Sequence, residues 1–287
     1  MKKDTTLRLI FPEWQGGINK NYHFGASVLS FIAPQGENCE TAEVPVDTDF
    51  AAALETEDGV FAQTAIIRQQ LVARKILMEK QPARVITFGG DCSVSQAPFD
   101  YLHERYPGLG ILWIDAHPDI STPEIFPNEH AMVLGNLLGD GAPRLSEIVE
   151  RPFSPEKILY VGLIADKMLP HEKDYVARRA LAYMTPEELS ENREKLHRWL
   201  ESNHIQKLAV HFDVDVLTAT DFRSVLYNEP GLGPVDYATG TMTLAQVAEI
   251  LVEVQKIAEI VGFTLAEYMP WDLIRLRAAL EKMDIFK

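Results

Sequence analysis

Short apolar runs, each closed by a polar or glycine-containing turn, recur along this chain. Leu7–Phe11, Arg84–Phe88, Ile111–Ile114, Ile158–Val161, Leu208–Phe212 and Ile260–Ala266 read as β-strands. Several lack polar alternation, the pattern of strands buried on both faces. Helical patterns intervene over Phe61–Glu79, Val94–Arg105, Pro186–Asn203 and Leu244–Glu259, and the closing stretch Trp271–Lys287 is also helical in pattern. Pro186 follows a capping Thr185, with Glu188 three residues beyond that cap. This alternation predicts a three-layer α/β/α domain with a central, mostly parallel sheet. No Gly/Ser linker, low-complexity tract or fixed-period repeat marks a boundary, so residues 1–287 read as a single domain.

Composition narrows the function classes. A length of 287 residues, 46% of them hydrophobic, supports a large core. The formal net charge of −15 opposes general binding to nucleic acid or to an anionic membrane, because a phosphate-rich partner meets a repulsive mean field. No apolar run reaches the length of a membrane span, and MKKDTTLRLIF lacks a sustained signal-peptide core. Cys39 and Cys92 are the only cysteines, too few for a disulfide framework. A cytoplasmic enzyme is the simplest expectation.

Three of the strand-like runs end in residues that carry chemistry. Ile111–Ile114 opens into Asp115-Ala-His117-Pro-Asp119, and Leu208–Phe212 into Asp213-Val-Asp215. In a parallel sheet, the carboxyl ends of strands are where ligand sites form. Residues two apart share one side of an extended backbone, and a turn could also gather them. Five carboxylate and imidazole groups at two strand ends point to a metal site. A solvated acidic loop is the bland reading for either segment alone. The third end, Gly89-Gly90-Asp91-Cys92-Ser93, combines a close-approach turn with a thiol. Asp91 or Ser93 also suits a helix cap, and Cys92 also suits a small core residue.

These runs, with Ala266-Glu267-Tyr-Met-Pro270, resemble the ureohydrolase family of arginases, agmatinases and related amidinohydrolases; the likeness extends from Val85 to Pro270. The family carries Gly-Gly-Asp-His where this chain has Gly-Gly-Asp-Cys92. The resemblance implies the three-layer α/β/α fold, two manganese ions and assembly as a homo-oligomer, trimer or hexamer. It also implies that Asp115 and Asp213 bridge the ions, that His117 and Asp215 complete one, and that Cys92 and Asp119 serve the other. Carboxylate and imidazole suit Mn²⁺, whereas thiolate favours softer ions, so Cys92 leaves the second position and its metal open. Glu267 matches a carboxylate at the guanidinium end of the pocket, His130 the proton-shuttling histidine, and Asn128, less closely, a substrate-binding asparagine.

Other departures concern the substrate. Thr218-Ala219 stands where the family has Asp-Pro, and Lys167 stands where an acidic contact is usual, with Asp166 one residue earlier. They argue against arginine as substrate; an uncharged-tail or carboxylate-bearing compound fits at least as well.

The chemistry the family implies is hydrolysis of a carbon–nitrogen bond in a small guanidino or amidino compound. In it Asp119 assists the attacking water, His130 donates a proton to the leaving amine and Glu267 orients the cation. A metal hydrolase of another amide-like bond and a catalytically inactive structural or interaction protein are the alternatives. His211 is expected on the Asp213 side of its strand, as packing or as support for a ligand. The aromatic segment Phe11–Phe24 is expected to pack as loop and core, to wall the pocket or to form an oligomer contact.

Overall fold

The computed structural model describes residues 5–286; Met1–Asp4 and Lys287, at the ends of two expected segments, lie outside the described residues. The strands are β1 Thr6–Phe11, β2 Cys39–Glu43, β3 Thr56–Glu57, β4 Val60–Phe61, β5 Arg84–Gly89, β6 Gly110–Ile114, β7 Ile158–Val161, β8 Ala182–Met184, β9 Lys207–Asp213 and β10 Glu259–Ala266. Eight form one sheet in the order β2-β1-β5-β10-β9-β6-β7-β8, while β3 and β4 pair separately. Every pairing within the large sheet is parallel.

The bare apolar runs are explained by two cores, one on each face. On β6, Ile111 and Trp113 join one core while Leu112 and Ile114 join the other; on β7, Ile158 and Tyr160 alternate in the same way with Leu159 and Val161. Each such side chain, fully withdrawn from water, contributes roughly 1.5–3 kcal/mol relative to an exposed one. Parallel strands need long crossovers, and helices supply them. Gln63–Lys80 and Gln96–Arg105 add side chains to the first core, and Glu194–Ser202 and Leu244–Val254 to the second. Among the described residues, no helix is long and apolar enough to cross a membrane.

Strand order determines where a ligand can sit. The chain builds β1, β2 and β5, then lays down β6, β7 and β8 away from them, and finally fills the middle with β9 and β10. The central four strands, β5-β10-β9-β6, therefore have their carboxyl ends side by side at the reversal of strand order, where open α/β sheets form crevices.

Several expected boundaries are corrected. The helix expected over Pro186–Asn203 is two, Pro186–Glu191 and Glu194–Ser202. Asn192 turns extended between them, and its Oδ1 accepts the Glu194 N–H at 2.7 Å in a side-chain turn. A 3-10 turn, Cys92–Ser95, precedes Gln96–Arg105. The helix expected to reach Glu259 ends at Val254, because Glu259 is already in β10. The last helix ends at Leu280. Within the aromatic N-terminal segment, a helix not foreseen begins at Asn21 and runs to Ile32.

Candidate metal centre

Each loop after β5, β6 and β9 folds by the same local device. An aspartate Oδ1 accepts the backbone N–H two residues on: Asp91 from Ser93 at 3.0 Å, Asp115 from His117 at 2.7 Å and Asp213 from Asp215 at 2.7 Å. These side-chain turns are a conformation that aspartate favours. The ligand runs are thus gathered by turns rather than by extended strand. The second oxygen, Oδ2, of Asp213 lies 2.8 Å from Cys92 Sγ, and that of Asp115 accepts the Trp113 Nε1–H at 3.0 Å.

Close backbone packing sets the rest. A Cβ at Gly90 would lie 1.5 Å from the Glu13 carbonyl oxygen, so glycine is required for the approach that lets Asp91 N–H bond Glu13 O. Gly90 O in turn accepts the Glu267 N–H at 2.7 Å, tying the end of β10 to the loop after β5. Asp119 and Glu267 both have left-handed backbone, with φ of 48° and 62°. Non-glycine residues rarely hold this conformation, which concentrates at functional sites.

Three overlapping sets of donor atoms result. Those of Cys92, Asp115, Asp119 and His211 lie within 4.8 Å of one another, as do those of Asp115, His117 and Asp215, and those of Cys92, Asp213 and Glu267. His117 Nδ1 is 2.9 Å from Asp215 Oδ2 and 3.6 Å from Asp115 Oδ1. Cys92 Sγ is 2.8 Å from Asp213 Oδ2 and 3.6 Å from Glu267 Oε1. Every metal-ligand candidate from the sequence therefore lies in one crevice. His130 joins them from the turn Glu129–Met132, with Nδ1 2.9 Å from Glu267 Oε1.

Four features escaped the sequence reading or exceed it. Tyr22 donates its phenol to Glu267 Oε2 at 2.7 Å, placing the N-terminal helix in the pocket wall. Gly25, one turn later, permits that helix to abut the Tyr268 carbonyl, 2.0 Å from where a Cβ would sit. Trp113 donates Nε1–H to Asp115 Oδ2 at 3.0 Å. His211 is nearer the ligands than packing alone requires. The Asp-x-X turns and the strand ends were visible signals for the ligands, but nothing local marks Tyr22 or Trp113. Asn128 immediately precedes the turn that carries His130, and Asp166 and Lys167 lie on an exposed turn after β7.

The electrostatics fit cations. Burial, then Asp115, pushes the Asp119 carboxyl well up; burial, then Asp215, does the same to Asp213. Burial raises Asp215 to about 6 and the Cys92 thiol well above its ordinary value. For His117, burial opposes protonation, but Asp215 and Asp115 outweigh it and raise its pKa. Burial would raise Asp115 and Glu267 too. The nearby His117 and His211 rings reverse that at Asp115, and hydrogen bonds from His130 and Tyr22 reverse it at Glu267. Asp119 Oδ2 and His211 Nε2 are buried without a hydrogen-bond partner. Such groups cost free energy unless something binds them, and an uncompensated buried charge costs several kcal/mol. Hard carboxylate oxygens with imidazole suit divalent ions.

Comparison with known proteins agrees with this fold. The arginase family profile matches residues 34–275. An arginase of Staphylococcus aureus is 29% identical over 140 residues, 46% of this chain and 45% of that protein, so the match spans less than half of the relative's length. The structure of Bacillus caldovelox arginase superposes with a TM-score of 0.77 at 19% identity, over 93% of this chain and 91% of that one. Entamoeba histolytica arginase in complex with L-ornithine superposes with a TM-score of 0.74 at 20% identity, over 94% and 92%. With Cys92 standing where its relatives' motif has histidine, this chain belongs to the arginase family.

Proposed function

We propose that this protein is a metal-dependent hydrolase of a carbon–nitrogen bond in a small guanidino or amidino compound. The observation that carries this reading is the convergence of Cys92, Asp115, His117, Asp119, Asp213 and Asp215 beside the Glu267–His130 pair. In this reading Asp115, His117 and Asp215 would hold one ion and Cys92, Asp115 and Asp119 the other, with the Asp213 carboxylate beside Cys92. Bound Mn²⁺, or another divalent ion, supplies a lowered pKa for water and Lewis acidity toward the planar carbon's substituents.

The chain's own residues do the rest. Glu267, ionised by its two hydrogen-bond donors, offers a charge-assisted contact to a cationic amidine. Asp119 Oδ2, free of other partners, accepts a hydrogen bond from the attacking water and fixes its direction. His130 is held by Glu267 through Nδ1, leaving Nε2 to give a proton to the departing amine. Burial lowers the His130 pKa, but Glu267 outweighs it and raises the value, which favours the protonated ring.

One observation favours the inactive alternative: both Glu267 oxygens are already engaged, Oε1 by His130 and Oε2 by Tyr22, so a substrate cation must share them. Release of urea or ammonia from guanidino and formimino compounds separates the readings. The family supports a homo-oligomer, which light scattering on the purified chain tests.

A further inference from the structure

His211 and Asp213 are two apart on β9 and share its face, while the directly opposed residue on β6 is Trp113. The His211 ring stacks on the Trp113 indole with centroids 3.7 Å apart and planes 10° from parallel. Nδ1 lies 2.7 Å from Ser95 Oγ. The ring is completely buried, yet Nε2 has no hydrogen-bond partner and faces Asp115 Oδ2 at 3.7 Å. That distance is too long for a hydrogen bond. It is close to the roughly 3.4 Å separating two ligands on one tetrahedral ion with bonds of about 2.0–2.1 Å. The donor atoms of Cys92, Asp115 and Asp119 complete the same group.

We propose that His211 is itself a metal ligand, supplying from β9 the imidazole that the loop after β5 lacks. The ion there is held by Cys92 Sγ, His211 Nε2, Asp115 and Asp119. This inference rests on the metal-hydrolase reading above. A thiolate–imidazole–carboxylate set selects a softer ion such as Zn²⁺ or Co²⁺, whereas Asp115, His117 and Asp215 on the other side suit Mn²⁺. The thiol proton leaves to solvent as the metal–sulfur bond forms. Ser95 and Trp113 are positioning residues. Ser95 holds Nδ1 so that the Nε2 lone pair points at the ion, the usual outer support of a ligating histidine, and Trp113 fixes the ring plane.

The test uses the full chain, stripped of metal and reloaded with Co²⁺, with cobalt content and electronic absorption as readouts. The wild type is expected to show a near-ultraviolet thiolate-to-cobalt band that is absent from Cys92→Ser. His211→Phe, which keeps the stack on Trp113, is expected to lose affinity for the thiolate-side ion by at least about tenfold. The other ion stays bound, and the visible cobalt bands change. Thermal unfolding of the metal-free variants reports whether they fold. If His211→Phe does not, Ser95→Ala decides, with a smaller loss of affinity and an unchanged thiolate band expected. Unchanged cobalt affinity and spectrum in folded His211→Phe, or unchanged affinity in Ser95→Ala where that variant decides, would overturn the assignment while leaving the metal-hydrolase reading intact. Cobalt uptake by the wild type without a thiolate band would overturn the thiolate–imidazole site in the same way. A wild type that takes up no metal overturns both.

Discussion

The Tyr22 hydroxyl donates to Glu267 Oε2 at 2.7 Å, joining the first turn of the N-terminal helix to the end of β10 across 245 residues of sequence. It is one of the two bonds that hold Glu267 ionised at the centre of the site. Tyr22→Phe should retain the fold, losing about 1.5–3 kcal/mol of stability with this hydrogen bond to a charged group. It should raise KM for a cationic substrate more than it lowers kcat, because Glu267 positions rather than reacts. Steady-state kinetics with a thermal melt checks this; a fall in kcat alone would contradict it.

His130 has a different expected signature. His130→Asn removes the proton donor but no metal donor, so turnover should drop by about 100-fold or more while bound metal is unchanged. Elemental analysis beside kinetics reads both quantities. Loss of metal in this variant would place His130 among the ligands instead.

Cys92 tests ligand softness. Cys92→His exchanges sulfur for imidazole in a crevice otherwise lined by carboxylates and imidazoles, and should raise Mn²⁺ occupancy of the thiolate-side position after matched loading. Activity rises only if that position limits turnover. Equal manganese in folded wild type and variant would show that softness does not govern occupancy.

The buried carboxyls predict how metal-free protein responds to pH. Asp119 and Asp213 are raised, and Asp215 is raised to about 6, by burial first. A carboxyl whose folded pKa exceeds its unfolded value near 4 stabilises the fold at low pH, and that stability is lost as pH rises through the folded pKa. The raised His117 and His130 act in the same direction. Lowered Asp115 and Glu267 lose their contribution only below about pH 4, outside this window. Metal-free protein should therefore melt at lower temperature as pH rises from about 4 through 6 and above. Metal-loaded protein should resist the change, since ions bind the deprotonated ligands. Melting curves with and without chelator decide it; parallel pH profiles would count against the carboxyl cluster as the source.

How much of this was legible follows from where each signal lies. The six apolar runs became six sheet strands because burial on both faces leaves an uninterrupted hydrophobic trace. The ligands were legible because Asp-Ala-His-x-Asp and Asp-x-Asp stand at the ends of those runs. β2, Cys-Glu-Thr-Ala-Glu, carries no such trace: it is an edge strand held by pairing to β1. The helix bearing Tyr22 was hidden among aromatics and a glycine that only its contact with Tyr268 explains. The Trp113–His211 stack depends on strand order, which places β6 beside β9 although nearly a hundred residues separate them. No local pattern encodes that neighbour.

Specificity should follow the same departures. Asp166 and Lys167 are exposed on the turn after β7 and supply no buried acidic contact for an α-amino group. Guanidino acids with a carboxylate tail should therefore be turned over faster than arginine, with Lys167→Ala reducing the difference. Initial rates across arginine, agmatine and guanidino acids test this; a clear preference for arginine would contradict it.

Metal-dependent carbon–nitrogen hydrolysis in this crevice is tested by measuring urea and ammonia release from a guanidino and formimino panel, using one preparation assayed metal-loaded and after chelation. The loaded protein is expected to release product, with release abolished by chelator and restored by divalent metal. Loaded protein that binds its ions but releases neither product from any member of the panel would contradict it.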